Sequence, residues 1–166
     1  MREVLIVRSV SFQQLDKNLP AIKSRFPDCR LSILTHEHGV KLAEKYADIH
    51  QVYAYPVKGG FSCFRQAKGL RGKSFDAVVI PVGNLTGLGF FNVLMFTLRI
   101  SAPQRWVCNL VSDIRQIRTG TILRMGIKNT LYKGAALASG GVAALLFAVL
   151  MPLLFWTIRK KNEGQA

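Results

Sequence analysis

Three apolar runs of strand length, separated by segments with helical spacing, constrain the fold of this chain more than any other feature. The runs are EVLIVR (3–8), RLSILT (30–35) and FDAVVIPV (75–82). Strands buried on both faces have near-continuous apolar sequences, and helices between successive strands are typical of a parallel sheet. The pattern therefore predicts a Rossmann-like α/β domain, with ligands expected at the carboxyl ends of its strands.

Weaker patterns predict the remaining elements of this domain. Apolar spacing favours strands at 51–55 and 105–111, and helices at 15–26, 39–47, 64–71 and 92–100. The domain is then expected to occupy residues 1–111, which is the size of one ordinary domain, and its sheet to be mostly parallel.

A long uncharged segment follows this domain. Residues 134–158, GAALASGGVAALLFAVLMPLLFWTI, are 25 residues without a charge, and about 20 such residues cross a bilayer core. Tyr132 and Trp156 lie near its two ends, and a basic tail, 159–166, comes next. We therefore expect one transmembrane helix, with a buried core helix as the alternative.

Charge and residue size suggest how this segment is oriented and what it contacts. The flank before it is more basic than the flank after it. The apolar stretch within MREVLIVRS is also too short for that of a signal peptide. The α/β domain is therefore expected to face the cytoplasm. Small residues recur every four positions and would allow two such helices to pack as a homodimer. They are Ala136, Gly140, Ala144 and Ala148.

The positive charge of the chain is concentrated just before the uncharged segment. The net charge is +14, and residues 58–133 contribute +10 of it, with twelve Lys or Arg against Asp76 and Asp113. Residues 112–133 interleave apolar and basic side chains, which predicts an amphipathic helix lying on anionic headgroups. A helix packed on its own domain is the alternative. The basic side chains assigned to the membrane surface are Arg115, Arg118, Arg124 and Lys128.

Other classes of partner lack a matching pattern. The membrane accounts for much of the charge and no nucleic-acid recognition motif is present, so no nucleic-acid partner is expected. Cys29, Cys63 and Cys108 are widely spaced, which argues against a zinc site and indicates a reducing compartment. His36 and His38 supply two ligands without a third, so neither a metal nor a cofactor is expected.

Three loops at predicted strand ends, 9–14, 35–39 and 82–91, supply the candidate site residues. Those expected to bind a ligand are Ser9, Ser11, Gln13, Gln14, His36, Gly83, Asn84 and Gly87. Asp16 and Glu37 are the candidate general bases, although Asp16 also suits a helix N-terminus electrostatically. Backbone amides of the glycine-containing loop 83–89 could receive a phosphate or a sugar hydroxyl, and a tight structural loop is the alternative.

The order of these elements resembles the N-terminal, acceptor-side half of the family 9 glycosyltransferases, the heptosyltransferase-like enzymes of lipopolysaccharide assembly. That family has "I-R" at its first strand, "P-A-L" in its first helix, then an "F-P" turn, and "F-D" before a later strand. The matching residues are Arg8, Pro20, Ala21, Ile22, Phe26, Pro27, Phe75 and Asp76. The resemblance spans residues 3–110. It implies a GT-B fold, hexosyl or heptosyl transfer from a nucleotide-sugar, and a location at a bacterial inner membrane.

Two departures from the family pattern bear on function. The family has Gly-Asp in the first loop, and its carboxylate is thought to act as base toward the acceptor, whereas this chain has Gln13-Gln14. Glutamine cannot accept a proton at neutral pH. The family also has a second Rossmann-like domain, which binds the donor, where this chain has its uncharged segment.

We therefore expect a membrane-anchored, half-length glycosyltransferase-like protein that binds an acceptor or acts as a scaffold in surface-polysaccharide assembly and is not catalytic alone. One alternative is an active glycosyltransferase completed by a partner chain or a second protomer, with Asp16 or Glu37 as base. Another is a membrane-tethered module that binds nucleotides or phospholipids through residues 83–89 and 112–133.

Overall fold

The chain divides into two compact units, Met1–Gly126 and Ile127–Ala166. A computed structural model describes residues 2–65, 67–85, 89–128, 131, 139–141, 147, 150 and 151. The first unit is an α/β domain. The predicted α/β class is confirmed, and the domain boundaries proposed from the sequence stay a prediction.

The first unit is built from six strands with short helices between them. The strands are β1 (Arg2–Val7), β2 (Cys29–His36), β3 (Ile49–Tyr55), β4 (Ala77–Pro81), β5 (Gln104–Cys108) and β6 (Ile114–Gln116). The helices are α1 (Phe12–Arg25), α2 (Val40–Ala43) and α3 (Phe91–Thr97), with 3₁₀ turns at Glu37–Gly39 and Lys68–Leu70. Residues 119–128 are also helical.

The strands form one sheet in the order β3-β2-β1-β4-β5-β6. The first five are parallel, and β6 runs antiparallel to β5. The predicted mostly parallel, Rossmann-like sheet is therefore confirmed. Because successive strands are added in opposite directions from β1, a crevice is expected at the carboxyl ends of β1 and β4, where doubly wound folds bind ligands.

Both faces of β1 are covered, which explains its continuous apolar sequence. Val4 and Ile6 pack with Leu15 and Ile22 of α1 on one face. Leu5 and Val7 belong to the core on the other face, because successive side chains of a strand point to opposite sides. Full burial of each such side chain contributes about 1.5–3 kcal/mol. These apolar contacts fix the position of the residues that follow β1.

The helix predicted over 112–133 does not begin at residue 112. Ile114–Gln116 form β6 instead, and helical structure starts at residue 119. The reason is a tight turn after β5, in which the side-chain oxygen of Asn109 accepts hydrogen bonds from the amides of Val111 and Asp113 at 3.1 and 2.9 Å. Ser112 adopts a positive φ of 63° there. This turn directs the chain back along β5.

The basic side chains assigned to the membrane surface are therefore divided between two elements. Arg115 lies in β6, where its Nε contacts Asp113 Oδ2 at 2.7 Å. Arg118 precedes the helical residues, and Arg124 and Lys128 lie within them, all three exposed. Contact with lipid stays a prediction.

Residues 119–126 pack on the α/β domain, as the alternative to a headgroup helix supposed. Ile122 is fully buried in the core. A Cβ added to Gly126 would lie 3.0 Å from Phe91 Cζ of α3, so the helix approaches α3 closely at this glycine. Leu123 and Met125 are exposed.

The segment 64–71, predicted as a helix, forms a 3₁₀ turn at Lys68–Leu70 in its described part. This stretch contains Gly69, and glycine disfavours a longer helix. Its buried members, Ala67 and Leu70, pack into the core beside β3.

The predicted transmembrane segment, 134–158, lies mostly outside the described residues. Ala136, Ala144 and Ala148 are outside them, whereas Gly140 is helical and exposed. Within the described part of the chain, no helix combines the length and the apolar character that crossing a bilayer requires.

Candidate functional site

Ser9, which the sequence assigned to ligand binding, forms a hydrogen bond between the ends of β1 and β4. Ser9, directly after Arg8, donates a hydrogen bond from Oγ to the carbonyl oxygen of Pro81 at the end of β4. The amide of Val82 in turn donates to the carbonyl oxygen of Cys108 at 2.8 Å. Ser9 therefore joins the ends of two strands.

The predicted loop 9–14 is shorter than expected, because α1 begins at Phe12. Ser11 is its N-cap, and Ser11 Oγ accepts from the amide of Gln14 at 3.3 Å. Serine is among the preferred N-cap residues, since its hydroxyl satisfies an amide of the first turn. Gln13 and Gln14 consequently lie in the first turn of a helix, and Gln13 is exposed.

Gln14 links α1 to the loop that follows β5. Its Nε2 donates to the carbonyl oxygen of Leu110 at 3.0 Å and to Asn18 Oδ1 at 2.8 Å. Ser112 Oγ donates to the carbonyl oxygen of Lys17 at 3.0 Å and to Asn18 Oδ1 at 3.1 Å. Gln14 therefore holds protein groups together in the first turn of α1.

Asn18 is a buried polar residue that sequence reasoning missed. It is fully buried, and its Nδ2 has no hydrogen-bond partner among the described residues. The signal was present in the sequence, because position 18 follows Leu15 by three residues and so lies on the apolar face of α1. An asparagine there needs polar partners, and the loop after β5 supplies them on one side.

Arg8 occupies the carboxyl end of β1 and is 9% exposed. Its Nε donates to Thr35 Oγ1 at 2.7 Å and its Nη1 to the carbonyl oxygen of Val10 at 2.8 Å. Its guanidinium carbon lies 4.4 Å from the centre of the Phe12 ring. Burial lowers the pKa of Arg8 from its ordinary value. In the described ranges no carboxylate forms a salt bridge with Arg8.

Gly39 completes the surroundings of this arginine. A Cβ at position 39 would lie 2.5 Å from Thr35 Oγ1 and 3.1 Å from Arg8 Nη2. Glycine is therefore required here by close packing, since the φ of Gly39 is an ordinary −96°. We call Arg8, Thr35 and Gly39 the Arg8 site.

His36, another candidate ligand-binding residue, packs beside the rings of Tyr55 and Phe61, with ring centres 5.4 and 4.7 Å apart. Its Nε2 donates to the carbonyl oxygen of Gly59 at 2.8 Å, and its ring stacks on His38 with centres 5.7 Å apart. Burial lowers the pKa of His36, and the positive charges of Arg8 and His38 lower it further, against the opposing effect of the Gly59 hydrogen bond.

The two candidate bases differ in their surroundings. Asp16 accepts a hydrogen bond at Oδ1 from the hydroxyl of Tyr46, and it lines a shallow pocket with Lys23 and Asp48. Burial, with the hydrogen bond to Asp16 next, raises the pKa of Tyr46 to about 12. Glu37 is exposed in the 3₁₀ turn after β2. The carboxylate of Asp16 is therefore hydrogen-bonded to Tyr46, whereas Glu37 is exposed.

The glycine-containing loop after β4 is described only in part, and ligand binding by it stays a prediction. Gly87 lies outside the described residues. A Cβ added to Gly83 would meet Phe90 and Val10 at the ordinary distances of 3.6 and 3.9 Å, and the carbonyl oxygen of Asn84 accepts from the amide of Leu110 at 3.3 Å. The short helix α3 then begins after Phe90, whose side chain makes no capping hydrogen bond.

The described residues contain no candidate metal-binding site. No group of three or more His, Cys, Asp or Glu side chains is placed there to hold a metal ion. The fold and the site together define a Rossmann-like α/β domain with a cationic strand-end site at β1 and β2 and with Gln14 in a structural role.

Comparisons with known proteins give structural neighbours. No protein-family model matches the chain, and no curated protein sequence matches it. E. coli heptosyltransferase WaaC with ADP is 19% identical with a TM-score of 0.44, over 62% of this chain and 33% of that one. WaaC with ADP-2-deoxy-2-fluoro heptose is 18% identical with a TM-score of 0.43, over 62% and 35%. The chain thus spans about a third of the length of these enzymes.

Proposed function

We propose that residues 1–126 form a glycosyltransferase-like lobe that binds an acceptor in bacterial lipopolysaccharide or surface-polysaccharide assembly and does not transfer sugar alone. The motif resemblance around Arg8, Pro20 and Phe26 supports this assignment. The cationic Arg8 site supports binding of an acidic acceptor, because it lies at the carboxyl ends of the strands, where α/β folds bind ligands.

The observation that carries the non-catalytic part of this proposal is the role of Gln14. Its side chain is committed to Leu110 and Asn18 by hydrogen bonds of 3.0 and 2.8 Å. A general base must reach the proton that it abstracts and must be able to accept it. Gln14 meets neither condition. The other candidate base on α1, Asp16, accepts a hydrogen bond from the hydroxyl of Tyr46.

We also propose that residues 134–158 anchor this lobe in the inner membrane as a single-pass helix, with the lobe facing the cytoplasm. The support is the uncharged run of 25 residues and the basic residues on both sides of it. The small residues Ala136, Gly140, Ala144 and Ala148 would then allow a homodimer within the membrane.

The test is a paired measurement on the purified full chain in detergent. A phosphorylated lipopolysaccharide-core oligosaccharide is titrated in and its binding followed by NMR, and release of nucleoside diphosphate from ADP- and UDP-sugars is measured in the same sample. The proposal expects binding without nucleotide release. Absence of binding, or transfer by the chain alone, would overturn it.

Two variants identify the base if transfer is seen. Asp16→Asn removes the candidate carboxylate, whereas Asp48→Asn removes a carboxylate that lines the same pocket and pairs with Lys23 at 2.6 Å. Transfer that is lost in Asp16→Asn and kept in Asp48→Asn would establish an active enzyme with Asp16 as base. Transfer that requires a second protein would instead favour an enzyme completed by a partner chain.

A binding module for phospholipids is the competing proposal, and it depends on the exposed basic side chains before the uncharged segment. Flotation of the full chain with anionic and neutral vesicles tests it against Arg118→Glu and Arg124→Glu together. Because both side chains are exposed, these changes leave the core intact. Equal recovery of the variant and the unchanged chain with anionic vesicles would remove this proposal.

A further inference from the structure

Two buried arginines in the same domain, Arg105 and Arg8, differ in how many of their N–H donors make hydrogen bonds. Arg105 donates to the carbonyl oxygens of Thr97, Ile100 and Ala102 at 3.0–3.3 Å, and also contacts Thr119 Oγ1 at 3.4 Å. Its guanidinium is therefore satisfied by the protein itself. Such hydrogen bonds offset the free-energy cost of burying an arginine whose role is structural.

Arg8 is buried to the same degree, yet it has fewer partners. A guanidinium carries five N–H donors. Two of those in Arg8 reach acceptors, Thr35 Oγ1 and the carbonyl oxygen of Val10. Three remain without an acceptor among the described residues, including both on Nη2. The residue keeps 9% of its surface exposed.

The orientation of the Arg8 guanidinium is fixed before any ligand arrives. The Phe12 ring packs on one side at 4.4 Å, and Thr35 holds the Nε. Position 39 has no room for a side chain, as the 3.1 Å between a Cβ there and Arg8 Nη2 shows. A preorganised donor binds with a smaller entropic cost, because little freedom is left to lose.

The charge around Arg8 also favours a negative ligand. Its protein partners are a hydroxyl and a carbonyl, neither of which carries a charge. Buried charges in proteins are generally paired, so an anion is the class of ligand that the remaining donors of the Arg8 guanidinium favour.

We propose that the Arg8 site binds an oxyanion, with a phosphate monoester as the ligand class, through the remaining N–H groups of Arg8. Arginine donors match the oxygens of phosphate in number and geometry. The identification of this phosphate with part of an acceptor rests on the function proposed above, whereas binding of phosphate itself does not.

Inorganic phosphate is the first probe, titrated into the full chain in detergent at constant ionic strength and followed by calorimetry. Arg8→Gln is expected to weaken binding at least about tenfold, the fold-change that corresponds to losing charge-assisted hydrogen bonds. Arg115→Gln is the matched control, because it makes the same charge change at a side chain that is 79% exposed. Equal weakening in both variants would mean general electrostatic attraction and would overturn the proposal.

A second measurement uses the unchanged chain, so that it can be made even if Arg8→Gln does not fold. In the unchanged chain, the Nε–Hε resonance of Arg8 is expected to shift on addition of phosphate, while that of Arg105 stays fixed. An unmoved Arg8 resonance up to about 50 mM phosphate, which corresponds to very weak binding, would overturn the site. Glucose 1-phosphate then distinguishes the source, since tighter binding than inorganic phosphate favours a sugar phosphate and equal binding favours the free ion.

The outcome also separates this inference from the proposed function. Phosphate that binds through Arg8 while the core oligosaccharide does not bind would retain the oxyanion site and remove the acceptor proposal. An oligosaccharide that binds equally well to Arg8→Gln would retain the acceptor proposal and remove the Arg8 site.

Discussion

Arg105 donates hydrogen bonds from Nε and Nη2 to the carbonyl oxygen of Thr97, at 3.3 and 3.2 Å. Thr97 is the last residue of α3, and its carbonyl oxygen also accepts a hydrogen bond from the amide of Ile100 at 3.1 Å. Burial lowers the pKa of Arg105 from its ordinary value, but the guanidinium remains charged at neutral pH because arginine titrates far above it. This arginine thus attaches the end of α3 to β5.

Replacing Arg105 with leucine is predicted to lower the free energy of unfolding by about 2–3 kcal/mol, because buried carbonyl oxygens lose their donors. Arg99→Leu is the control, since Arg99 is exposed and makes one hydrogen bond, to the carbonyl oxygen of Cys63 at 3.1 Å. Chemical denaturation followed by far-ultraviolet circular dichroism measures both. Equal effects of the two substitutions would contradict this role of Arg105.

Gly39→Ala is predicted to destabilise the domain by about 1–3 kcal/mol, the usual cost of overpacking. The added methyl would lie 2.5 Å from Thr35 Oγ1, and Thr35 is fully buried. Gly83→Ala makes the same change at another strand-end loop, where the nearest atom is 3.6 Å away, and it is expected to change stability little. Thermal unfolding of the two variants checks the contrast, which disappears if the chain near Gly39 can move aside.

Two glycines in the helical residues 119–128 are predicted to respond oppositely to alanine. Gly120→Ala should stabilise by up to about 0.5–1 kcal/mol, because alanine has the higher helix propensity and a Cβ at position 120 meets no atom within 4 Å. Gly126→Ala should destabilise, because the Cβ would press on Phe91 Cζ at 3.0 Å. The midpoint of urea unfolding measures both. A gain in stability for Gly126→Ala would show that this helix does not pack on α3.

The stability of the domain is predicted to fall as the pH drops below about 6.5, through His36. Burial is the first cause that lowers the pKa of His36 from its ordinary value of 6.5. As the pH falls through 6.5 the unfolded chain takes up a proton that the folded chain still excludes, so stability is lost down to the folded-state pKa. NMR titration of the His36 ring measures that pKa directly.

His36→Gln is the variant for this pH dependence, because it removes the titrating ring. It should flatten the decline in unfolding temperature between pH 7 and pH 5.5, whereas His50→Gln, at an exposed position, should leave the decline unchanged. A His36 pKa at or above 6.5 would disprove the prediction.

Cys108 is predicted to resist thiol reagents at pH 8 in the folded protein. Burial raises the pKa of its thiol to about 11, and the thiolate is the reactive species. Cys63 is more accessible and should react faster. Reaction with Ellman's reagent should therefore release the same fast fraction in the unchanged chain and in Cys108→Ala, and loss of a fast thiol in that variant would contradict the burial of Cys108.

The elements of the sheet that the sequence predicted are those whose apolar pattern is local. The runs at 3–8, 30–35 and 75–82 became β1, β2 and β4, because a strand covered on both faces must be apolar along its whole length. The helix predicted at 15–26 became α1, beginning earlier at Phe12, since the N-cap Ser11 lies outside the apolar repeat.

The strand β6 and the Arg8 site could not be predicted in the same way, because they depend on contacts between residues far apart in sequence. Ile114–Gln116 looked helical from its apolar and basic spacing, but pairing with β5 and the turn at Asn109 made it a strand. Arg8 was a visible motif residue without a visible partner. Only the parallel alignment of β1 and β2 brings Thr35 and Gly39 to its guanidinium.

By itself, the sequence determined the α/β class, the positions of the main strands along the chain and the concentration of positive charge between residues 58 and 133. Hydrophobic periodicity and charge are properties of neighbouring residues, so they can be seen without a fold. The tertiary structure decided that Gln14 supports the protein, that Arg105 is satisfied and that Arg8 uses two of its donors on acceptors in the described part of the chain. Whether a polar atom is satisfied depends on atoms brought together from distant parts of the chain, which only the folded backbone specifies.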